Sequence, residues 1–190
     1  MRSDDLHTPP ADLPVPTDDG ACAHLLGAAV PPIELAATDG TIVRLDRAEP
    51  RWTVVYAYPR TGLPDLETPE GWDDIPGARG CTPQNCAYRD HHAELKALGA
   101  AVYGLSTQTT EYQQEMVERL HLPYAVLSDA DFELTRAMNL PTFEFGGVTL
   151  LRRFAFVIEA RRIAHVIYPV FPSSADAPRI VAWLQDRAST

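Results

Sequence analysis

Apolar and polar positions along the chain follow two alternating periods. WTVVYAYP (52–59) is an unbroken apolar, β-branched and aromatic run, the pattern of a central strand buried on both faces. Before it, IELAATDGTIVRL predicts a hairpin turning at Asp39-Gly40. After Gly80 the period lengthens to that of a helix. Thr82 is placed to cap it, Pro83 is tolerated in its first turn, Tyr88, His91, Leu95 and Leu98 form an apolar stripe, and Gly99 ends it. Then come a strand in AVYGLS (101–106), an amphipathic helix in TEYQQEMVERL (110–120), a strand in YAVLSD (124–129) and a short helix in DFELTRAM (131–138). FEFGGVTLL turns at Gly146-Gly147, RFAFVIEARRIAHVIYP makes two strands about residues 160–161, and SADAPRIVAWLQDR closes the chain as a helix. Strands alternating with helices predict an α/β fold on a partly parallel, mixed sheet, with hairpins at its edges.

Two stretches carry no period. Residues 1–20, rich in Pro and Asp, predict a mobile or loosely docked tail, so that the chain divides into a tail (1–23) and one domain (24–190). RTGLPDLETPEGWDDIPGARG (60–80) holds three prolines and four glycines and reads as a long loop, which in a small domain is usually functional or an insertion.

Composition narrows the function. A hydrophobic content of 45% over 190 residues supports a folded core. A formal net charge of −10 repels phosphate backbones and anionic lipid, which argues against nucleic-acid and membrane partners. The first twenty residues lack the basic and apolar regions of a secretory signal, and no segment is apolar enough to span a bilayer, so a cytoplasmic location is expected. In the cytosol a close cysteine pair more often means redox chemistry or metal than a structural disulfide.

That pair is Cys81 and Cys86, in GCTPQNCAYRDHHAEL. Four roles fit it on the residues alone. With His91 and His92 it offers zinc ligands, but on a helix Cys86 points about 140° and His91 about 280° from Cys81, and His92 lies about 16 Å along the axis, which disfavours one shared ion. Either thiol can be a small core residue, as suits the isolated Cys22. In the first helical turn, however, Cys81 faces unpaired N–H groups and the positive end of the dipole, which favour a thiolate. A thiol–disulfide exchanger usually carries C-x-x-C, whereas here a standing helix holds the Cα atoms about 8.7 Å apart, beyond the limit near 7 Å for a disulfide. A two-step cycle uses that separation. The first cysteine attacks a peroxide and becomes sulfenic acid, and the second captures it once the helix unwinds.

At these residues the chain resembles a family. The Tyr58-Pro59 pair, GCTPQNCAYRDHHAEL and the following GAAVYGLST are similar to peroxiredoxins of the bacterioferritin-comigratory, or Q, class, and LPYAVLSDADFELTRAM and RRFAFVIEARRIAHVIY extend the likeness over roughly residues 24–187. The resemblance implies a thioredoxin-like fold and reduction of hydrogen peroxide and organic hydroperoxides. It implies Cys81 as the peroxidatic cysteine, Cys86 as the resolving one, and an intramolecular disulfide recycled by thioredoxin or a similar dithiol protein. No cofactor and no metal are implied, and a monomer or homodimer is expected.

The departure from the family pattern, Pro-x-x-x-Thr-x-x-Cys, is local. Position 78 is Ala instead of Thr, and Pro59 precedes Cys81 by 22 positions, not seven, so about fifteen residues are inserted. Thr61 is a candidate to fold back into the missing threonine's role of orienting peroxide; its alternative is an ordinary loop residue. Arg153, ahead of FAFVIE, matches a family arginine and would stabilise the thiolate and the developing charge on the peroxide, the alternative being a solvated strand-edge arginine like Arg152. Pro59 would shield the thiolate, or simply end its strand. His91 is expected as a packed histidine, Arg89 and Asp90 as a structural pair, and Trp72 either covers the site or pins the inserted loop. A redox sensor using the same disulfide, and an α/β module with inert thiols, are the other functions the residues allow.

Overall fold

The computed structural model describes residues 6–47, 49–64 and 66–189. Strands β1 (Glu34–Ala37) and β2 (Ile42–Arg44) form the hairpin expected at Asp39-Gly40, where Gly40 takes φ 83° and Asp39 accepts the Thr41 amide at 3.0 Å. β3 (Trp52–Ala57) is buried along its whole length. Helices α1 (Cys81–Asp90) and α2 (His92–Ala97) occupy the span expected as one helix, and the break falls at His91. β4 (Ala100–Ser106), α3 (Thr110–Leu120), β5 (Val126–Ser128) and α4 (Glu133–Met138) follow in the expected order. Then come β6 (Thr142–Phe145), β7 (Val148–Leu151), β8 (Phe154–Glu159), β9 (Arg162–Ile167) and α5 (Asp176–Ala188).

Among the described residues seven strands make one sheet in the order β2-β1-β5-β4-β3-β8-β9. β3 pairs parallel with β4 and antiparallel with β8, so the sheet is mixed, as expected. The hairpin β6–β7 is not at the edge of this sheet; it stands apart as a two-stranded ribbon. The turn between β8 and β9 is made by Ala160 and Arg161, at φ 48° and 66°, the left-handed pair that a two-residue hairpin needs even without glycine.

Because β3 is covered on both faces, its alternate residues serve two cores. Trp52, Val54 and Tyr56 meet Tyr88 of α1, Leu95 of α2, Met116 of α3 and Ile180 of α5. Val55 and Ala57 meet Leu134 and Met138 of α4, together with Cys22 and Leu25. Each such large apolar side chain contributes roughly 1.5–3 kcal/mol on burial.

The stretch read as a tail is docked over its described part. Tyr168 donates to Asp19 at 2.8 Å, and Cys22 is buried, its thiol pushed up to about 12 by desolvation and then by Asp18 and Asp19. The inserted loop is likewise ordered by packing: Trp72, in a short 3₁₀ turn (Trp72–Asp74), is buried with Ala78 and Leu150 against Phe143 and Phe145 of the β6–β7 ribbon.

Candidate active site

Two neighbouring strands deliver the reactive groups. β3 and β8 run antiparallel, with Ala57 opposite Phe154. The chain leaving β3 and the residue before β8 therefore meet at one end of the sheet, where α1 also begins. Gly80 precedes Cys81 at φ 106°, a conformation that glycine adopts readily, and a Cβ there would collide with the Ser173 side chain. Gly80, not Thr82, is the N-cap of α1; Thr82 lies one residue inside Cys81, in the helix's first turn.

Cys81 thus starts α1, with 5% of its surface exposed. Arg153 is buried at 4% exposure and donates from Nη2 to Cys81 Sγ at 3.2 Å, which removes the solvated-edge alternative. The same guanidinium donates to the carbonyls of Gly77 at 3.1 Å and Ala78 at 3.0 Å, and from Nη1 to Gln84 Oε1. Of these partners only the sulfur can carry a negative charge. The adjacent helix N-terminus favours that charge.

Behind Arg153 stands a polar chain that sequence reasoning missed. Gln84, fully buried, donates to Asp176 Oδ2 at 2.7 Å, and Tyr88 donates to the same oxygen at 3.1 Å. Burial pushes the Asp176 carboxyl up to about 6, against the lowering effect of those two hydrogen bonds and of Arg153. Asn85, also fully buried, donates to the Cys81 carbonyl at 2.8 Å and receives the Tyr56 hydroxyl proton, while Tyr124 donates to the Asn85 carbonyl at 3.0 Å. The available signal was the polar Gln-Asn pair facing inward on a helix whose apolar stripe was the feature noticed.

Cys86 lies later on α1, half-buried, and burial raises its thiol above the ordinary value, with Arg89 opposing. Cys22, Cys81 and Cys86 are all free thiols. Helix geometry keeps the Cα atoms of Cys81 and Cys86 about 8.7 Å apart.

The other expected residues separate. Pro59 is buried just beyond β3. Thr61 is also buried, but its hydroxyl goes to Gln108 at 3.3 Å and its amide to the same oxygen at 2.9 Å, and it does not line the cavity at Cys81. Among the described residues, the hydroxyl-bearing ones that do are Thr68 and Thr82. His91 is not a packed histidine; it sits part-exposed at the break between α1 and α2, 3.2 Å from Glu94. His92 rests near the Tyr124 ring. Arg89 ties α1 to α3 through the Leu120 carbonyl at 3.0 Å and contacts Asp90 at 2.9 Å. Trp72 takes both expected roles, since it pins the loop and also lines the cavity.

That cavity, about 260 Å³, opens directly onto Cys81, and the inserted loop builds most of its wall. A buried, arginine-bound cysteine at a helix start, facing a cavity, is an arrangement for nucleophilic attack on a small bound molecule.

Comparison with known proteins agrees with this geometry. The Redoxin family profile matches residues 25–184. A chloroplastic peroxiredoxin Q of Sedum lineare is 30% identical over 142 residues, 75% of this chain and 67% of that protein. Peroxiredoxin bcp1 of Schizosaccharomyces pombe is 32% identical over 115 residues, 60% of this chain and 51% of that one. Across four of the plant peroxiredoxin Q relatives the match spans between 58% and 67% of their length. Among solved structures, peroxidoxin BcpB of Mycobacterium tuberculosis superimposes with a TM-score of 0.68 at 26% identity, covering 85% of this chain and 96% of that one. A Xanthomonas campestris peroxiredoxin Q superimposes with a TM-score of 0.65 at 19% identity, covering 94% of this chain and 99% of that one, a likeness of fold. The sheet order, the position of Cys81 and these matches together identify the chain as a thioredoxin-like member of the Redoxin family, in its peroxiredoxin Q and bacterioferritin-comigratory branch.

Proposed function

We propose that the chain is a thiol peroxidase in which Cys81 attacks the peroxide and Cys86 resolves the product. The Cys81 thiolate attacks the terminal oxygen of a hydroperoxide. An S–O bond forms as the O–O bond breaks, the sulfur is oxidised to sulfenic acid, and the departing alkoxide takes a proton to leave as alcohol or, from hydrogen peroxide, as water. Arg153 holds the sulfur and stabilises the charge that builds on the oxygens. Gln84 and Asp176 are positioning residues that fix Arg153. The Cys86 thiol then displaces water from the sulfenic acid, closing a disulfide that a thioredoxin-type dithiol reduces. Pro59, buried just beyond β3, is given the shielding of the sulfur from water only by resemblance to the family. The observation that carries this reading is the 3.2 Å contact of Arg153 Nη2 with the sulfur of Cys81, the residue that lines the cavity.

The test is peroxide consumption with a thioredoxin system. Wild type turns over repeatedly; Cys81→Ser is inactive, because a hydroxyl is not ionised at neutral pH. Cys86→Ser reacts once, leaves sulfenic acid on Cys81 and loses most steady turnover. Activity retained in Cys81→Ser overturns the assignment. A wild type that oxidises once and is not recycled is a sensor, not an enzyme.

A further inference from the structure

The cavity at Cys81 is larger than hydrogen peroxide requires: about 260 Å³, against roughly 30 Å³ for a water molecule in the liquid. Its wall is of two kinds. Leu63, Pro69 and Trp72 give an apolar side, while Arg60 and Arg79 bring two cations and Glu67 one exposed carboxylate. Arg60 is half-buried, its guanidinium 5.7 Å from the centre of the Trp72 ring.

Arg79 is the unusual member. It has 8% of its surface exposed, and its Nη1 donates to Thr68 Oγ1 and to Asp73 Oδ1, the latter at 3.3 Å. Among the described residues Nη2, which is buried, has no hydrogen-bond partner. The Asp73 carboxylate already pairs with Nη1, and the unbonded, buried Nη2 still carries a desolvation cost that a second acceptor oxygen relieves. Arg79 also stands two residues before Cys81, so their Cα atoms are no more than about 7.6 Å apart. Both residues line the same cavity, which puts cation and nucleophile within reach of one molecule bound there.

We infer that this cavity binds an organic hydroperoxide bearing a carboxylate, with its apolar body along Leu63, Pro69 and Trp72, its carboxylate on Arg79, and its O–O group at Cys81. The inference rests on the peroxidase reading above and names the substrate class for it. Arg60 adds positive potential at the cavity; Asp73, paired with Arg79 Nη1, and Glu67, on the solvent side, oppose it. The inserted loop is itself acidic, with Asp65, Glu67, Glu70, Asp73 and Asp74 against Arg60 and Arg79, so the selectivity for an anion is local to the two arginines at the cavity.

Three hydroperoxides of equal reactive end test it: cumene hydroperoxide, its para-carboxylate and the methyl ester of that acid. The reduced protein is mixed with each, and oxidation of Cys81 is followed in a single turnover. The carboxylate is expected to react about tenfold faster than the ester, the scale of a charge-assisted hydrogen-bond pair. Arg79→Gln should bring that ratio close to one, and Arg79→Lys should restore part of it. If Arg79→Gln does not fold, competition on wild type serves instead: benzoate should slow the reaction of the carboxylate and benzamide should not. Equal rates for carboxylate and ester, a ratio that survives Arg79→Gln, or equal competition by benzoate and benzamide overturns the inference. If hydrogen peroxide and cumene hydroperoxide still oxidise Cys81 in that case, the peroxidase reading stands without it. If no peroxide oxidises Cys81, both fall.

Discussion

Arg153 and Cys81 are 72 residues apart in the chain and 3.2 Å apart in the fold. The antiparallel pairing of β3 with β8 brings them together, and the carbonyls of Gly77 and Ala78 then hold the guanidinium against the sulfur. Replacing Arg153 with Met keeps most of the stem volume and removes the charge and all the donors. The second-order rate of Cys81 oxidation by hydrogen peroxide should fall on the order of 10²-fold, the usual loss when one donor to a developing oxyanion is removed. Stopped-flow measurement on the reduced protein decides this; an unchanged rate would mean that the contact plays no part in the chemistry.

The Cys81–Cys86 pair should melt its own helix when oxidised. A Cα separation of about 8.7 Å exceeds the limit near 7 Å for a disulfide, so closing the bond must deform the first turns of α1. The contacts at risk include the Asn85–Cys81 and Tyr124–Asn85 hydrogen bonds, each worth about 1 kcal/mol net. Amide hydrogen exchange over residues 78–90 should lose protection on oxidation and regain it with dithiol. Equal protection in both states, with the disulfide verified, would be the contrary result.

Asp176 predicts a pH-dependent cost. Its carboxyl is raised from 3.8 to about 6, so the folded state binds the proton more tightly than the unfolded chain does. Stability from this group is therefore greatest below about pH 4 and declines as pH rises toward and past 6, by up to about 3 kcal/mol. Asp176→Asn, which cannot ionise, lacks that decline. Urea unfolding from pH 4 to 7 should show wild type losing stability relative to the variant across this window; a constant difference would contradict it.

Trp72 clips the inserted loop onto the β6–β7 ribbon, its ring 5.0 Å from that of Phe145. Trp72→Ala leaves a void that in a core would cost about 3–5 kcal/mol. On a loop the cost should appear as local opening. Limited proteolysis within residues 62–71 should become about tenfold faster, with a smaller change in Tm. Unchanged cleavage would mean that the other loop contacts suffice.

Much of the architecture was legible in the chain. The strand at 52–59, the helix at 110–120 and the turn at Gly146-Gly147 follow from local period and turn chemistry, which neighbouring residues decide among themselves. Cys81 stood out for the same reason, since its place at a helix start is a local fact. Arg153 was legible only through resemblance, because its partner lies on another element. Gln84 was legible only as half of a polar pair sharing the helix face of Tyr88, and Asp176 was not legible at all: it looks like a polar surface residue until two helices and a strand end enclose it. Thr61 went the other way. Its spacing after Pro59 suggested the site, yet Gln108 takes its hydroxyl. The docking of residues 6–20 and the cavity built by the inserted loop were likewise decided by tertiary packing. An aperiodic segment carries no internal signal of its structure, and what orders it here is apolar surface and hydrogen-bonding groups presented by strands far away in sequence.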